Sequence, residues 1–383
     1  MTPRIKLFKQ ADAAMLLRRR NAGAVVRSPH PVNAKHRGLR GRILVVLVVT
    51  AVLVFAQASS ASATVGLENV GRSQTVLVWS QYDASFSTVR VMLSDSAGGH
   101  ARAITHPPDG AIDLDPQVSP DGIHVLFERD LPPFGIVHIG TVRIDGSEEH
   151  LLDLGCVDPC AGDLMPNWTP DSRHLTWTRV VGPFDPDTGD AQSAVLWLGD
   201  LAGKHQRRLS PPGIELKRCE EYGAQYAPAG YTILTRLCAG LGLTVVRRET
   251  NGRERLLTPW SVNADLPDIS PATVGPTKDL VVFETPTPNG STAVATVPST
   301  CRDQAECAKH IRYLTSPNSQ PDQNFNPAWS PDGRTIAYVR FTPGIPPDVP
   351  PAADIWTMKW NGANKQPVVT SPLFDFRPEW GQR

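Results

Sequence analysis

The chain has 383 residues and no formal net charge, because 38 Lys and Arg balance 38 Asp and Glu. Residues 1–63 contain 11 basic residues and one acidic residue, so the rest of the chain is acidic. An acidic body argues against nucleic acid as a partner, because phosphate binding requires a basic surface. Thirty-six prolines exclude a helical bundle, and 40% hydrophobic residues with nine Trp exclude a disordered chain.

An apolar run of 14 residues, 43–56, follows the basic leader. The run is shorter than the roughly 20 residues that span a bilayer, so it predicts a signal peptide with cleavage after Ala63. The alternative is an uncleaved anchor, because residues 43–63 form a stretch of 21 residues without charge. Either version predicts export across the cytoplasmic membrane. The body would be secreted or held at the outer face, with 43–63 as its only membrane contact.

Six cysteines follow the leader, and in an exported protein they predict disulfides. A zinc site usually has two close cysteine pairs or histidines at fixed spacing, whereas the pairs here are far apart. The cysteines fall into three groups of sequence neighbours, although six cysteines permit many other pairings.

A motif recurs along the chain and predicts repeated strands. Its complete copies are 115–129, 165–179 and 326–340; degraded copies are 222–236 and 266–285, and 376–380 is a truncated copy. Its Ser-Pro-Asp-Gly sequence is typical of a type I turn. The residues after the turn are apolar at successive positions, which indicates a strand buried on both faces.

A second hairpin with a Gly, Asp or Asn turn follows each copy, so the pattern predicts an all-β chain of six four-stranded antiparallel blades. The first blade lacks its inner strand, because residues 76–79 have the pattern of a second strand. Residues 378–380 supply the missing strand from the far end of the chain. We therefore predict a linker at 64–74 and a six-bladed β-propeller at 75–383. The shared blade closes its ring and removes exposed strand edges.

The repeat resembles the WD40-like (PD40) repeat of the TolB family, and 115–129 and 326–340 match it best. The resemblance implies an exported propeller that serves as an interaction surface for an envelope or extracellular protein or peptide. TolB proteins have an α/β domain ahead of the propeller. The resemblance does not extend to that domain, because the leader and residues 64–74 precede the predicted propeller here.

The propeller fold also favours disulfides between sequence neighbours. Cys219 and Cys238 flank one inner hairpin, and Cys301 and Cys307 would clip the longest outer turn. Cys156 and Cys160 would close the link between two blades.

Repeat symmetry places four arginines at equivalent strand ends, on a circle around one face: Arg129, Arg179, Arg236 and Arg340. Inner strands begin at the same face with acidic residues, among them Asp113, Asp115 and Glu221. The favoured interpretation is structural pairing of arginine and carboxylate, copied because the blade is copied. The functional interpretation is a polar funnel that binds an anionic ligand or an acidic peptide.

The exported part contains no hydrolase, metalloprotease or nucleotide-binding motif, which predicts a non-catalytic binding or scaffold module without a cofactor. The alternative is a lactonase-like hydrolase with a metal ion such as Ca²⁺ held by Asp115, Glu221 and Asp268. A third hypothesis, the gating propeller of a serine oligopeptidase, would need a hydrolase domain from a separate chain.

Overall fold

The computed structural model describes residues 74–132, 136–182, 193–288, 290–315, 323–342 and 352–383. The predicted leader, its cleavage site and residues 64–73 of the predicted linker lie outside these ranges. Within the described ranges, no helix has the length and apolar character needed to cross a membrane.

Within the described residues, twenty-four strands form six blades of four strands each, and a parallel bridge between Val89 and Ile112 joins blades 1 and 2 into one eight-stranded sheet. Blade 1 contains β1 (Thr75–Tyr82), β2 (Val89–Asp95), β3 (Arg102–Ala103) and β24 (Asp375–Gln382). Blade 2 contains β4 (Ile112–Val118), β5 (His124–Asp130), β6 (His138–Arg143) and β7 (His150–Leu151). Blade 3 contains β8 (Cys160–Trp168), β9 (His174–Val181), β10 (Ser193–Asp200) and β11 (Arg207–Arg208).

The other three blades have the same order. Blade 4 contains β12 (Cys219–Tyr226), β13 (Thr232–Cys238), β14 (Gly242–Arg248) and β15 (Glu254–Leu256). Blade 5 contains β16 (Asp265–Ile269), β17 (Leu280–Pro286), β18 (Thr292–Pro298) and β19 (Arg312–Tyr313). Blade 6 contains β20 (Gln323–Trp329), β21 (Thr335–Thr342), β22 (Ala352–Lys359) and β23 (Gln366–Val369). The described helices are α1 (Gln304–Lys309) and the 3₁₀ turns Glu215–Lys217 and Trp260–Val262.

The Ser-Pro-Asp-Gly turns join the first and second strands of their blades. In blade 2 the Ser119 hydroxyl donates to the Asp121 carboxylate at 2.6 Å, and the Gly122 N–H donates to the Ser119 carbonyl at 2.8 Å. Gly122 has a φ of 73°, and a Cβ there would lie 2.0 Å from the Gln382 carbonyl oxygen. The turn thus requires glycine both for its conformation and for its contact with the last strand.

The ring closes through β24, which forms the inner strand of blade 1, as the sequence predicts. β24 pairs antiparallel with β1, from Thr75 opposite Gln382 to Gln81 opposite Asp375. The Trp79 indole donates to the Asp375 carboxylate at 2.8 Å. The two ends of the described chain therefore meet within one sheet.

The core lies between neighbouring blades, on the second strand of each. One repeat position holds a large side chain in every blade, and all six are at most 1% exposed: Trp79, Phe127, Trp177, Leu234, Phe283 and Tyr338. These side chains fill the space between stacked sheets, which explains why the second strands are apolar at successive positions.

Three disulfides join the predicted pairs: Cys156–Cys160, Cys219–Cys238 and Cys301–Cys307. No described cysteine is free. Cys219 and Cys238 face each other across β12 and β13, at the open end of that inner hairpin. Such bonds persist in oxidising compartments, which is consistent with export.

Candidate functional site

Two faces of the propeller follow from the strand directions. We call the face that carries the Ser-Pro-Asp-Gly turns the turn face. The opposite face carries the ends of the second strands, among them Arg129, Arg179, Arg236 and Arg340, and we call it the arginine face. A central channel between them is lined by residues of the six inner strands.

Arg129 shows how the predicted arginines are held. Its guanidinium donates to both Asp113 carboxylate oxygens at 2.6 and 2.7 Å and to Glu149 at 2.6 Å. Asp113 is fully buried and Arg129 is 7% exposed. Arg129 therefore ties β5 to β4 within its own blade. An external anion would have to displace a buried carboxylate to reach it.

Two further arginines are held in the same way. Arg179 donates to Asp163 at 2.8 and 2.9 Å. Arg236 donates to Glu221, which is fully buried, and to Glu254. These pairs are the arginine–carboxylate ties of the structural interpretation, and the binding role of the arginines stays a prediction.

Arg340 contacts an aromatic ring, as Arg129 and Arg179 also do. Its guanidinium carbon lies 4.5 Å from the centre of the Trp356 ring, a cation–π contact. The equivalent position in blade 1 is Gln81, whose amide donates to Asp375 at 2.7 Å. The predicted circle thus exists as a repeat position, but its chemistry varies around the ring.

Each inner strand contains a bulge where it passes the channel. The pairing register shifts there in all six blades. The residue at the bulge has a left-handed φ between 45° and 56°, and five of the six are not glycine: Asp115, Met165, Gly223, Leu266, Asn326 and Arg377. Strain of this kind is often found at binding sites. All six residues line the channel.

The six bulge residues form the first tier of the channel. The position two residues further along each strand forms the second tier. Five of its six positions line the channel, Gln117, Asn167, Gln225, Asp268 and Glu379, whereas the sixth, Ala328, packs in the core. The space between the tiers is a cavity of about 80 Å³. A second cavity of about 210 Å³ opens towards the turn face, and Asp268 and Glu379 line both cavities.

The Asp115 side chain lies inside the channel and does not contact the arginine circle. Its carboxylate accepts from Arg377 at 2.8 Å, and each side chain is 13% exposed. Burial by itself lowers the pKa of Arg377, but the carboxylates of Asp115, Glu128 and Glu284 raise it above its ordinary value. The grouping of Asp115 with the arginine circle was therefore wrong in its geometry. Asp113 makes that contact.

Two buried glutamates that the sequence analysis missed hold neighbouring blades together. Glu128 accepts the Met165 N–H of the next blade, and Glu284 accepts the Asn326 N–H at 2.8 Å. Burial, with the nearby charge of Asp115, raises the pKa of Glu128 well above its usual range. The signal was a glutamate directly after the buried aromatic residue of a second strand.

Asp268 and Glu379 lie deep in the ring and keep part of their surface open to the cavities. Asp268 accepts the Trp329 N–H at 2.5 Å. Burial raises the pKa of Asp268 to about 7. Burial, together with the charge of Asp268, raises the pKa of Glu379 well above its usual range. The sequence analysis singled out Asp268 but not Glu379.

The three carboxylates of the predicted calcium site do not converge. Glu221 accepts from Arg236, Arg248 and Ser210 near the arginine face. Asp115 is paired with Arg377, and Asp268 lies in the second tier. These residues do not fit one coordination shell. Among the described residues, one group of three potential metal ligands converges, Cys156, Cys160 and Asp163, and its two cysteines are joined in a disulfide.

The fold is shared with solved structures of known proteins. TolB from Acinetobacter baumannii superposes with a TM-score of 0.58 and 14% identity, over 80% of this chain and 66% of that one. The chain has the TolB-like β-propeller fold. The TolB-like propeller also matches hydrazine synthase from Kuenenia stuttgartiensis, with a TM-score of 0.59 and 12% identity over 82% of this chain and 47% of that one. A fold shared with an enzyme leaves function to be argued from the site.

Sequence comparison adds a short match. The Tol-Pal system protein TolB of Rhizorhabdus wittichii is 39% identical over 59 residues, which are 15% of this chain and 12% of that protein. The match to this chain thus spans less than two thirds of the length of each of the two TolB proteins. No family model matches the chain.

Proposed function

We propose that this TolB-like propeller is a non-catalytic binding module that takes a positively charged segment of an envelope or extracellular protein into its central channel. The observation that carries the proposal is the charge of the channel. Three carboxylates, Asp115, Asp268 and Glu379, line it among the described residues, against one basic side chain, Arg377.

The excess negative charge of the channel lies in its second tier. Asp115 and Arg377 compensate each other, so the second tier contributes the acidic character through Asp268 and Glu379. A lysine, arginine or terminal ammonium group would supply the missing positive charge, and the attraction is stronger inside a protein than in water. An acidic peptide would be repelled. This reverses the sign of the ligand that the arginine circle suggested.

The channel also offers groups for hydrogen bonding. Thr235 lines it, is 1% exposed, and its hydroxyl has no hydrogen-bond partner within the described residues. Gln117 and Asn167 add amide groups from the second tier. A concave site with a few convergent polar groups is typical of ligand recognition. The hydrolase alternative receives no comparable support, because its three proposed metal ligands lie apart.

We expect neutral variants of the channel to lose the partner. The full-length chain would be used as bait for the envelope fraction, beside the double variant Asp268→Asn/Glu379→Gln. The variant keeps similar side-chain volumes but removes both carboxylates, so capture should fall at least about tenfold. Bound proteins would be identified by mass spectrometry.

The matched control is Asp145→Asn/Asp200→Asn, which removes two carboxylates from outer turns on the turn face. Each accepts backbone N–H groups of its own turn, away from the channel. This variant should capture the partner as the wild type does. Equal capture by all three baits would contradict the proposed function.

A further inference from the structure

The two second-tier carboxylates belong to different blades. Asp268 is on β16 of blade 5 and Glu379 is on β24 of blade 1, and blade 6 lies between them with the uncharged Ala328 at the same position. Both side chains line both cavities, and the charge of Asp268 acts on Glu379 and raises its pKa. Like charges that share a low-dielectric space disfavour double ionisation.

Among the residues that line the first cavity, Arg377 is the one basic side chain beside this pair, and its charge is compensated by Asp115. β4 contributes Gln117, whose amide reaches Glu379, and Asp115, which is paired with Arg377 of β24. β12 contributes Gln225, and β20 contributes the Trp329 N–H and Asn326. Glu128 on β5, Glu284 on β17 and Asp265 on β16 are further charged groups near the channel, and all three act on Arg377. The surroundings therefore favour a proton on the pair.

We propose that Asp268 and Glu379 share a proton and that this proton is released to water when a cationic group binds in the channel. The inference rests on the proposed function and adds its regulation by pH. In the free protein the shared proton holds the pair at a single negative charge. An arriving ammonium or guanidinium group compensates the second charge, the O–H bond of the carboxylic acid breaks, and the proton leaves to solvent.

The direction of the pH dependence follows from this exchange. Binding that releases one proton becomes tighter as pH rises, by about tenfold per pH unit while the pair is protonated. The affinity levels off once the pair is already ionised in the free protein. Burial of Asp268, which raises its pKa to about 7, places the change of slope near neutral pH. Acidification should therefore release the partner.

The test uses the full-length chain, purified in mild detergent, in two measurements. Carbon-13 NMR of labelled Asp and Glu carboxyls follows titration without ligand. A fluorescent tetralysine peptide then reports affinity between pH 5 and 8 at constant ionic strength. We expect a carboxyl that titrates near neutral pH, and tetralysine binding that strengthens at least about tenfold between pH 5 and pH 7.

The single variants Asp268→Asn and Glu379→Gln should each abolish the near-neutral titration and flatten the pH dependence. If every carboxyl of the free protein titrates below pH 5, the inference is wrong. If the pair titrates near neutral pH but tetralysine binds equally at all pH values, the inference is also wrong, and the proposed function stands. If the pair titrates and tetralysine does not bind at all, the proposed function fails, and the inference with it.

Discussion

Deleting residues 375–383 should leave the protein unable to fold. The deletion removes β24, so blade 1 loses its inner strand and β1 loses its partner along its whole length. Trp380 is 7% exposed and packs against Leu77, Trp79 and Ala328, and replacing such a residue by alanine typically costs about 3–5 kcal/mol on its own. Loss of the complete strand should abolish cooperative thermal unfolding, measured by near-ultraviolet circular dichroism.

A permuted chain provides the control for this deletion. Gln74 and Arg383 exchange backbone hydrogen bonds of 2.9 and 3.0 Å, so residues 375–383 can be moved ahead of Gln74 through a short loop. The permuted chain should fold, because the strand returns to the same place. Cooperative unfolding of the deleted chain near the wild-type temperature would show that closure by β24 does not hold the ring together.

The variant Glu221→Ala should be strongly destabilised. Glu221 is fully buried and accepts from Arg236, from Arg248 at 2.5 Å and from Ser210 at 2.6 Å. Its removal leaves two arginines beside Glu254 alone. Breaking a buried ion pair in this way costs about 3–5 kcal/mol, because the remaining charge lacks compensation. Urea unfolding would measure the loss.

The comparison variant is Glu306→Ala in α1. Glu306 accepts from Arg302 at 2.9 Å, but the Arg302 side chain is 85% exposed. Exposed pairs contribute little to stability, so the free energy of unfolding should hardly change. Equal effects of the two substitutions would contradict the view that the arginine face is held by buried ties.

Local sequence signals were sufficient to predict the blades and their closure. The turn residues mark one hairpin in most blades, and the apolar run after each turn matches a strand that is covered on both sides. The final copy of the repeat lacks a second strand, and 76–79 lacks a first one. That complementarity predicts the pairing of β24 with β1 without any further information.

The bulges explain why the site was only partly predicted. A regular strand would place Asp113 and Asp115 on the same side, so both were assigned to the arginine circle. The bulge at Asp115 turns its side chain into the channel towards Arg377. A residue before proline ordinarily avoids the helical regions, and no local rule predicts the left-handed conformation found at five such positions. Packing of six strands around one axis imposes it.

The sequence analysis did not group Asp268 with Glu379, for a different reason. Asp268 and Glu379 are 111 positions apart, and they line the same cavities only because the ring closes and brings blade 1 within one blade of blade 5. Repeat alignment does place them at one position, so comparing all six copies, and not only the arginines, would have indicated a shared tier.

Site-specific photo-crosslinking tests the central claim, that recognition occurs in the channel, most directly. A benzophenone amino acid would replace Met165, which lines the channel, or Leu216, which is 90% exposed outside it. We predict that irradiation in the envelope links a partner to the Met165 variant, through a lysine- or arginine-rich segment, and not to the Leu216 variant. Crosslinks from Leu216 alone, or through an acidic segment, would contradict the account.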